Sequence, residues 1–188
     1  MSNRYQHAGI SCLRPEVDKE RLKRWIQASH CVGNIEPFII VFIQDLGRLD
    51  SRLILGDERL CRSLIEGHTS IDEGLETTDH IMLSRLWVLG AYEVVRCLEN
   101  KCRNNAELVG AELNCKLKEL KHTYTRLRIP LAKLEPAESY KDIDSPIAYP
   151  AIHKNLGVSW QVAKDVYITR RELSDRLLCL LEDILKNL

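Results

Sequence analysis

Residues Thr78 to Asn104 constrain the fold more than any other stretch. From Ile81 to Leu98 the chain is apolar on nearly every side, interrupted by Ser84, Arg85, Glu93 and Arg96, with Gly90 neutral between them. A helix apolar all round is expected to lie buried among other helices. Thr78 suits an N-cap, Asp79 adds negative charge to the first turn, and Lys101 and Arg103 add positive charge to the last, where the helix dipole favours each. The stretch therefore reads as the central helix of a helical domain.

The rest of the chain supplies partners for it. Residues 1–14 are polar and aperiodic and read as a loose N-terminal segment ahead of a single domain spanning 15–188. Pro15 suits the first position of a helix whose one side carries Val17, Arg21, Leu22, Trp25, Ile26 and Ser29, ending at the turn Val32-Gly33-Asn34. Phe38, Phe42, Leu46, Leu49 and Leu53 keep helical spacing, so a second helix is expected from Pro37 to about Leu55. Gly56-Asp57 should break it, with a short helix over Glu58–Ile65 and a polar loop from Gly67 to Glu76. After a turn at Asn104-Asn105, a helix from Ala106 to Leu127 shows a near-heptad stripe of Val109, Leu113, Leu117, Leu120, Tyr124 and Leu127, suited to antiparallel packing on the central helix. Pro130 should end it.

Residues 129–157 hold four prolines and read as one long loop. Val158 to Ile168 reads as a small β-hairpin turning at Ala163-Lys164-Asp165. Thr169-Arg170-Arg171-Glu172 fits a capping box that starts a last helix bearing Leu173, Leu177, Leu180, Leu181, Ile184 and Leu188. The fold expected is mainly α: an up-and-down antiparallel bundle of four to five long helices with a small appended β-hairpin.

Composition excludes more than it selects. Lys plus Arg (27) cancels Asp plus Glu (27), so net charge points to no nucleic-acid or membrane partner. Locally, nine acids face four arginines between Asp45 and Asp79, and eight bases face four acids between Arg96 and Arg128. Two solvated helix faces of opposite sign are the plainer reading; orientation of a dimer or attraction of a polyanion is the alternative. Seven cysteines at irregular spacing, without CxxC, predict a reduced, cytosolic protein. The first ten residues hold no secretion signal, and the longest apolar run, Phe38 to Ile43, is far short of a membrane span. There is no GxGxxG, no phosphate-binding P-loop and no paired zinc-ligand spacing, even counting His30, Cys31, Cys61, Cys97 and Cys102, so no cofactor or metal is called for.

One resemblance adds a function. Tyr92 to Glu135, and above all the string Leu127-Arg128-Ile129-Pro130-Leu131-Ala132-Lys133-Leu134-Glu135, resembles part of the HEPN superfamily of small helical bundles. Arg128 matches that family's motif arginine, Lys133 stands in place of its histidine, and Ile129 replaces the usual Asn or Asp after the arginine. The resemblance implies a helical bundle, a homodimer and a role in cleaving or binding RNA.

The departure is chemical. Metal-free RNA cleavage needs a base for the ribose 2′-OH, a task for histidine near neutral pH. Lysine would need its pKa lowered by several units. Arginine instead holds phosphate bidentately. Arg128 and Lys133 thus suit holding an anion better than cutting RNA. Glu93 and Arg96, three apart on the central helix, read as a buried ion pair fixing helix register, or as a polar floor under an Arg128 loop. Arg128, Lys133, Glu93 and Arg96 together form the candidate site. His122, His153 and the aromatics Tyr140, Tyr149, Trp160 and Tyr167 read as amphipathic surface or hairpin packing. A non-enzymatic protein that interacts with other proteins, or assembles into a homo-oligomer through helix faces, is the alternative function.

Overall fold

A computed structural model describes residues 16–67, 71–105 and 109–187, with backbone alone for 71–73. The loose segment expected over residues 1–14, and Pro15, lie outside the described residues.

The described residues build five long helices and one small sheet: α1 (Lys19–Ser29), α2 (Ile40–Glu66), α3 (Ile71–Asn104), α4 (Gly110–Lys133), then β1 (Tyr149–His153), β2 (Gly157–Ala163), β3 (Val166–Thr169) and α5 (Arg170–Lys186). Successive helices α2, α3 and α4 pack antiparallel, and α5 returns between α1 and α4 to close the bundle. The core gathers Trp25, Leu46, Trp87, Val95, Leu98, Leu117, Tyr124, Leu127, Trp160 and Leu177 around α3.

Several elements run further than the sequence suggests. Gly56-Asp57 does not break α2, which continues unbroken to Glu66 and ends at Gly67 in the left-handed region (φ 70°). The reason is tertiary: α3 passes so close that an ideal Cβ on Gly56 would lie 2.4 Å from the His80 ring. The helical cost of glycine is set against that contact. Asp57, instead of ending the helix, points inward. Likewise α1 meets α2 at Gly47, where a Cβ would lie 2.3 Å from Trp25 Cβ.

Thr78 is not an N-cap. The central helix begins at Ile71, and the Thr78 hydroxyl donates back to the Gly74 carbonyl at 3.0 Å. Nor is that helix buried all round: Trp87, Val88, Ala91, Val94, Val95 and Leu98 are buried, whereas Met82, Leu83 and Leu86 are exposed. Pro130 does not end α4, which runs to Lys133 and stops at Leu134 in the left-handed region. Pro130 and Leu131 are both buried on the core side, and that burial carries the helix past the missing N–H.

The irregular segment is consequently shorter than the expected 129–157. Arg126 anchors it with a double hydrogen bond to Asp144 (2.8 Å each) and stacks on Tyr140 at 4.2 Å. The appended hairpin is a three-stranded antiparallel meander, order β1-β2-β3, with Ala151 opposite Ser159 and Trp160 opposite Ile168. Pro150 masks β1 in the sequence, but an edge strand tolerates proline. β2 buries Val158, Trp160 and Val162 against the bundle. The capping box does start α5: Thr169 Oγ1 accepts from the Glu172 amide at 3.1 Å and donates to Glu172 Oε2 at 2.7 Å.

Candidate functional site

Arg128 belongs to a helix, not to a loop. It sits on α4 where that helix packs antiparallel on α3, and its guanidinium lies over the Tyr92 ring at 5.2 Å. The same seam carries Lys121, two turns back, bonded to Glu99 of α3 at 2.5 Å. On α3, Arg85, Tyr92 and Arg96 recur at intervals of seven and four, which keeps them on one edge of the helix. The result is a strip of Arg85, Arg96 and Arg128 about a central tyrosine, on the edge shared by α3 and α4.

Glu93 and Arg96 are joined, as the spacing suggests, by a 2.7 Å ion pair, and Glu93 raises the Arg96 pKa by hydrogen bond and charge. The pair is not buried: its side chains are 44 % and 46 % exposed. It therefore does not fix helix register from the core and does not form a floor under a loop. Lys133 lies five residues beyond Arg128, about 140° further around the helix, and pairs with Glu135 at 3.6 Å. The four residues do not converge on one point; Arg128 and Arg96 share the strip with Tyr92, and Lys133 leaves it. His122, six residues before Arg128, is turned about 120° away from it.

The cations of α3 and α4 differ in how they are satisfied. Lys101 pairs with Glu36, Arg103 with Glu99, Lys116 with Glu112, and Arg126 with Asp144. Arg128 has neither ion pair nor hydrogen bond among the described residues; Tyr92 is its only charge-stabilising contact. A guanidinium stacked on a ring keeps its in-plane N–H donors free for a bidentate acceptor.

A second constellation, unforeseen in the sequence, lies in the core. Arg170 is fully buried and bridges two aspartates of α2: Nη1 to Asp50 Oδ1 at 2.5 Å, and Nη2 to Asp57 Oδ2. Asp50 Oδ2 also accepts from Arg21 Nε (2.5 Å) and Trp25 Nε1 (2.8 Å). Asp57 Oδ1 bonds His80 Nε2 (2.9 Å) and the Val158 amide (3.2 Å). Arg21 continues to Ser174 and Asp175 on α5. Two guanidinium groups and two carboxylates thus tie α1, α2, α3, β2 and α5 together. Burial alone would push the Asp57 carboxyl up, but the His80 hydrogen bond and the Arg170 charge outweigh it and hold the pKa below the usual value. Burial opposes the Arg170 charge as well; the two aspartates outweigh it and raise the pKa.

This network is closed to substrate. Arg170 is 0 % exposed, and the second ring nitrogen of His80 faces Gly56, whose ideal Cβ would lie 2.6 Å away. It also changes the charge map, because Asp50 and Asp57 supply part of the acidic excess between residues 45 and 79 and are internal. The sequence signal was two acids seven apart on the apolar face of α2. No cluster of three or more His, Cys, Asp or Glu able to hold a metal occurs among the described residues. No helix among them is long and apolar enough to cross a membrane.

No family model, no curated protein and no solved structure matches the chain.

Proposed function

We propose that the chain binds RNA or a nucleotide through phosphate on the α3–α4 edge, without cleaving it. The observation carrying this reading is Arg128: stacked on Tyr92 and free of any carboxylate partner among the described residues, it keeps a fork of donors for a phosphate. Arg85 extends positive charge along the same edge, where Arg96 is shared with Glu93, and a polyanion contacts such a strip through several phosphates at once. The resemblance to the HEPN superfamily supports the same substrate class. Its chemistry is given up, because among the described residues no histidine shares the Arg128 face of α4, and Lys133 turns away from it.

The test is fluorescence polarisation of a labelled single-stranded RNA over a salt series, with a gel readout of RNA integrity. Native protein should bind, leave the RNA intact, and lose affinity as salt rises. Arg128→Ala should weaken binding about tenfold and flatten the log–log salt slope by about one, while Lys133→Ala stays near native. Absence of binding by the native chain at low salt and high micromolar protein sinks the reading.

A further inference from the structure

The geometry points to a binding site for a zwitterion, an α-amino acid with an apolar side chain, in a cavity of about 390 Å³ where β3, α4 and α5 meet. That volume lies at the small end of the range for small-molecule sites, roughly 300–1,000 Å³. Its apolar wall is Ile168 and Leu173, both buried, and the half-exposed ring of Tyr167. Glu172 and Arg176 of α5 and Thr123 of α4 supply polar groups.

Two opposite charges line this one cavity without pairing, and that selects the ligand. Glu172 and Arg176 stand one turn apart on α5, the acid first, which is the order that favours an ion pair. Neither takes the other. Glu172 is turned back to the helix start, where the Thr169 hydroxyl donates to one of its oxygens at 2.7 Å. Arg176 reaches across to α4, where Nη1 donates to the Thr123 hydroxyl at 3.1 Å. Among the described residues Glu172 pairs with no cation and Arg176 with no carboxylate. Asp175, the other charge at this cavity, is already held by Arg21 at 2.7 Å and Arg171 at 3.6 Å. A bare anion would find Glu172 beside it, and a bare cation would find Arg176. An α-amino acid carries ammonium and carboxylate on one carbon and answers both. Its carboxylate would take the remaining N–H donors of Arg176, and its ammonium would donate to Glu172. The side chain would lie against Ile168, Leu173 and the Tyr167 ring. The larger cavity next to this one, about 500 Å³, shares Arg176 but not Glu172, and its lysine, Lys116, already pairs with Glu112 and Asp183. The inference does not rest on phosphate binding at Arg128.

A chemical-shift titration of the full chain with L-phenylalanine tests it, beside two blocked forms. N-acetyl-L-phenylalanine keeps the carboxylate and has no ammonium, as at the C-terminus of a peptide. L-phenylalanine amide keeps the ammonium and has no carboxylate, as at the N-terminus of one. The free amino acid should bind, and each blocked form should bind at least about tenfold more weakly, the loss of one charge-assisted hydrogen bond. Arg176→Gln and Glu172→Gln should each weaken the free amino acid by the same factor. In Glu172→Gln its advantage over the N-acetyl form should vanish. Glutamine serves a capping box as glutamate does, and Arg176 is exposed, so circular dichroism should remain native in both variants. Arg128→Ala should leave the titration unchanged, which separates failure here from failure of the phosphate edge. No shift up to the solubility limit of L-phenylalanine overturns the inference. Binding indifferent to both Gln substitutions, or a blocked form that binds as tightly as the free amino acid, overturns it as well.

Discussion

At the residue scale, stability concentrates in Arg170. Removing one partner of a buried ion pair leaves the other charge uncompensated, at a cost of about 3–5 kcal/mol. Arg170→Met takes from Asp57 its only guanidinium partner among the described residues and leaves Asp50 with Arg21 alone, so chemical denaturation should show a loss in that range. Asp57 makes the pH dependence specific. Its pKa in the folded chain lies below its ordinary value, so its contribution is fully present above about pH 4, the unfolded carboxylate range. That contribution is lost as pH falls through the folded pKa. Stability measured downward from neutrality should therefore decline on acidification, and Asp57→Asn should be less stable at neutrality and shallower in that decline. An Asp57→Asn profile parallel to the native one would remove Asp57 as a source of acid sensitivity. None of this could be assembled from the sequence, because Arg170 lies 120 and 113 residues from its two partners. Of the candidate site, Arg128 was singled out by a string that resembles the HEPN motif, but the Tyr92 ring beneath it was not, since a stack between helices has no sequence spacing.

At the scale of elements, local chemistry was legible where the local signal and the packing agree. The α5 capping box is such a case: Thr169 and Glu172 do meet. Thr169→Ala should cost about 1 kcal/mol, read from the thermal midpoint. Local chemistry misled where packing overrides it. Gly56 reads as a helix stop, Pro130 as another and Thr78 as a start, and all three lie inside helices. Gly56 shows which term wins. By propensity alone, Gly56→Ala should stabilise α2 by about 1 kcal/mol. The new methyl would instead meet the His80 ring, which is held in place by Asp57. We expect a net loss of about 1–3 kcal/mol, the usual range for forcing atoms into a filled space. The sign should reverse in a His80→Ala background, where the space is open and propensity alone remains. A Gly56→Ala variant more stable than native would show that α3 can move aside there.

At the scale of the whole molecule, the apolar stripes of α4 and α5 sufficed to predict a bundle. They could not reveal which helix face would remain uncovered, because α3 is apolar on the faces that end up buried and exposed alike. The cysteines turn the closed bundle into a measurable quantity. Cys31, in the turn after α1, is fully buried, and burial pushes its thiol pKa to about 12. Thiolate is the reactive form, so Cys31 is silent both by access and by ionisation. Cys115 and Cys179 are exposed and should react at once with a thiol reagent. Cys31 lies against the core that the Arg21–Asp50–Arg170 network ties together, so its labelling should require opening of the bundle as a unit. In native buffer its rate should match the global unfolding constant multiplied by the rate for a free thiol. Arg170→Met should then speed it by at least about 100-fold, since every 1.4 kcal/mol is a factor of ten. Mass spectrometry of the labelled peptides separates Cys31 from the surface thiols. Labelling of Cys31 much faster than global unfolding, and indifferent to Arg170→Met, would mean that α1 opens by itself, and that the network does not join α1 to α2 and α5 as one cooperative unit.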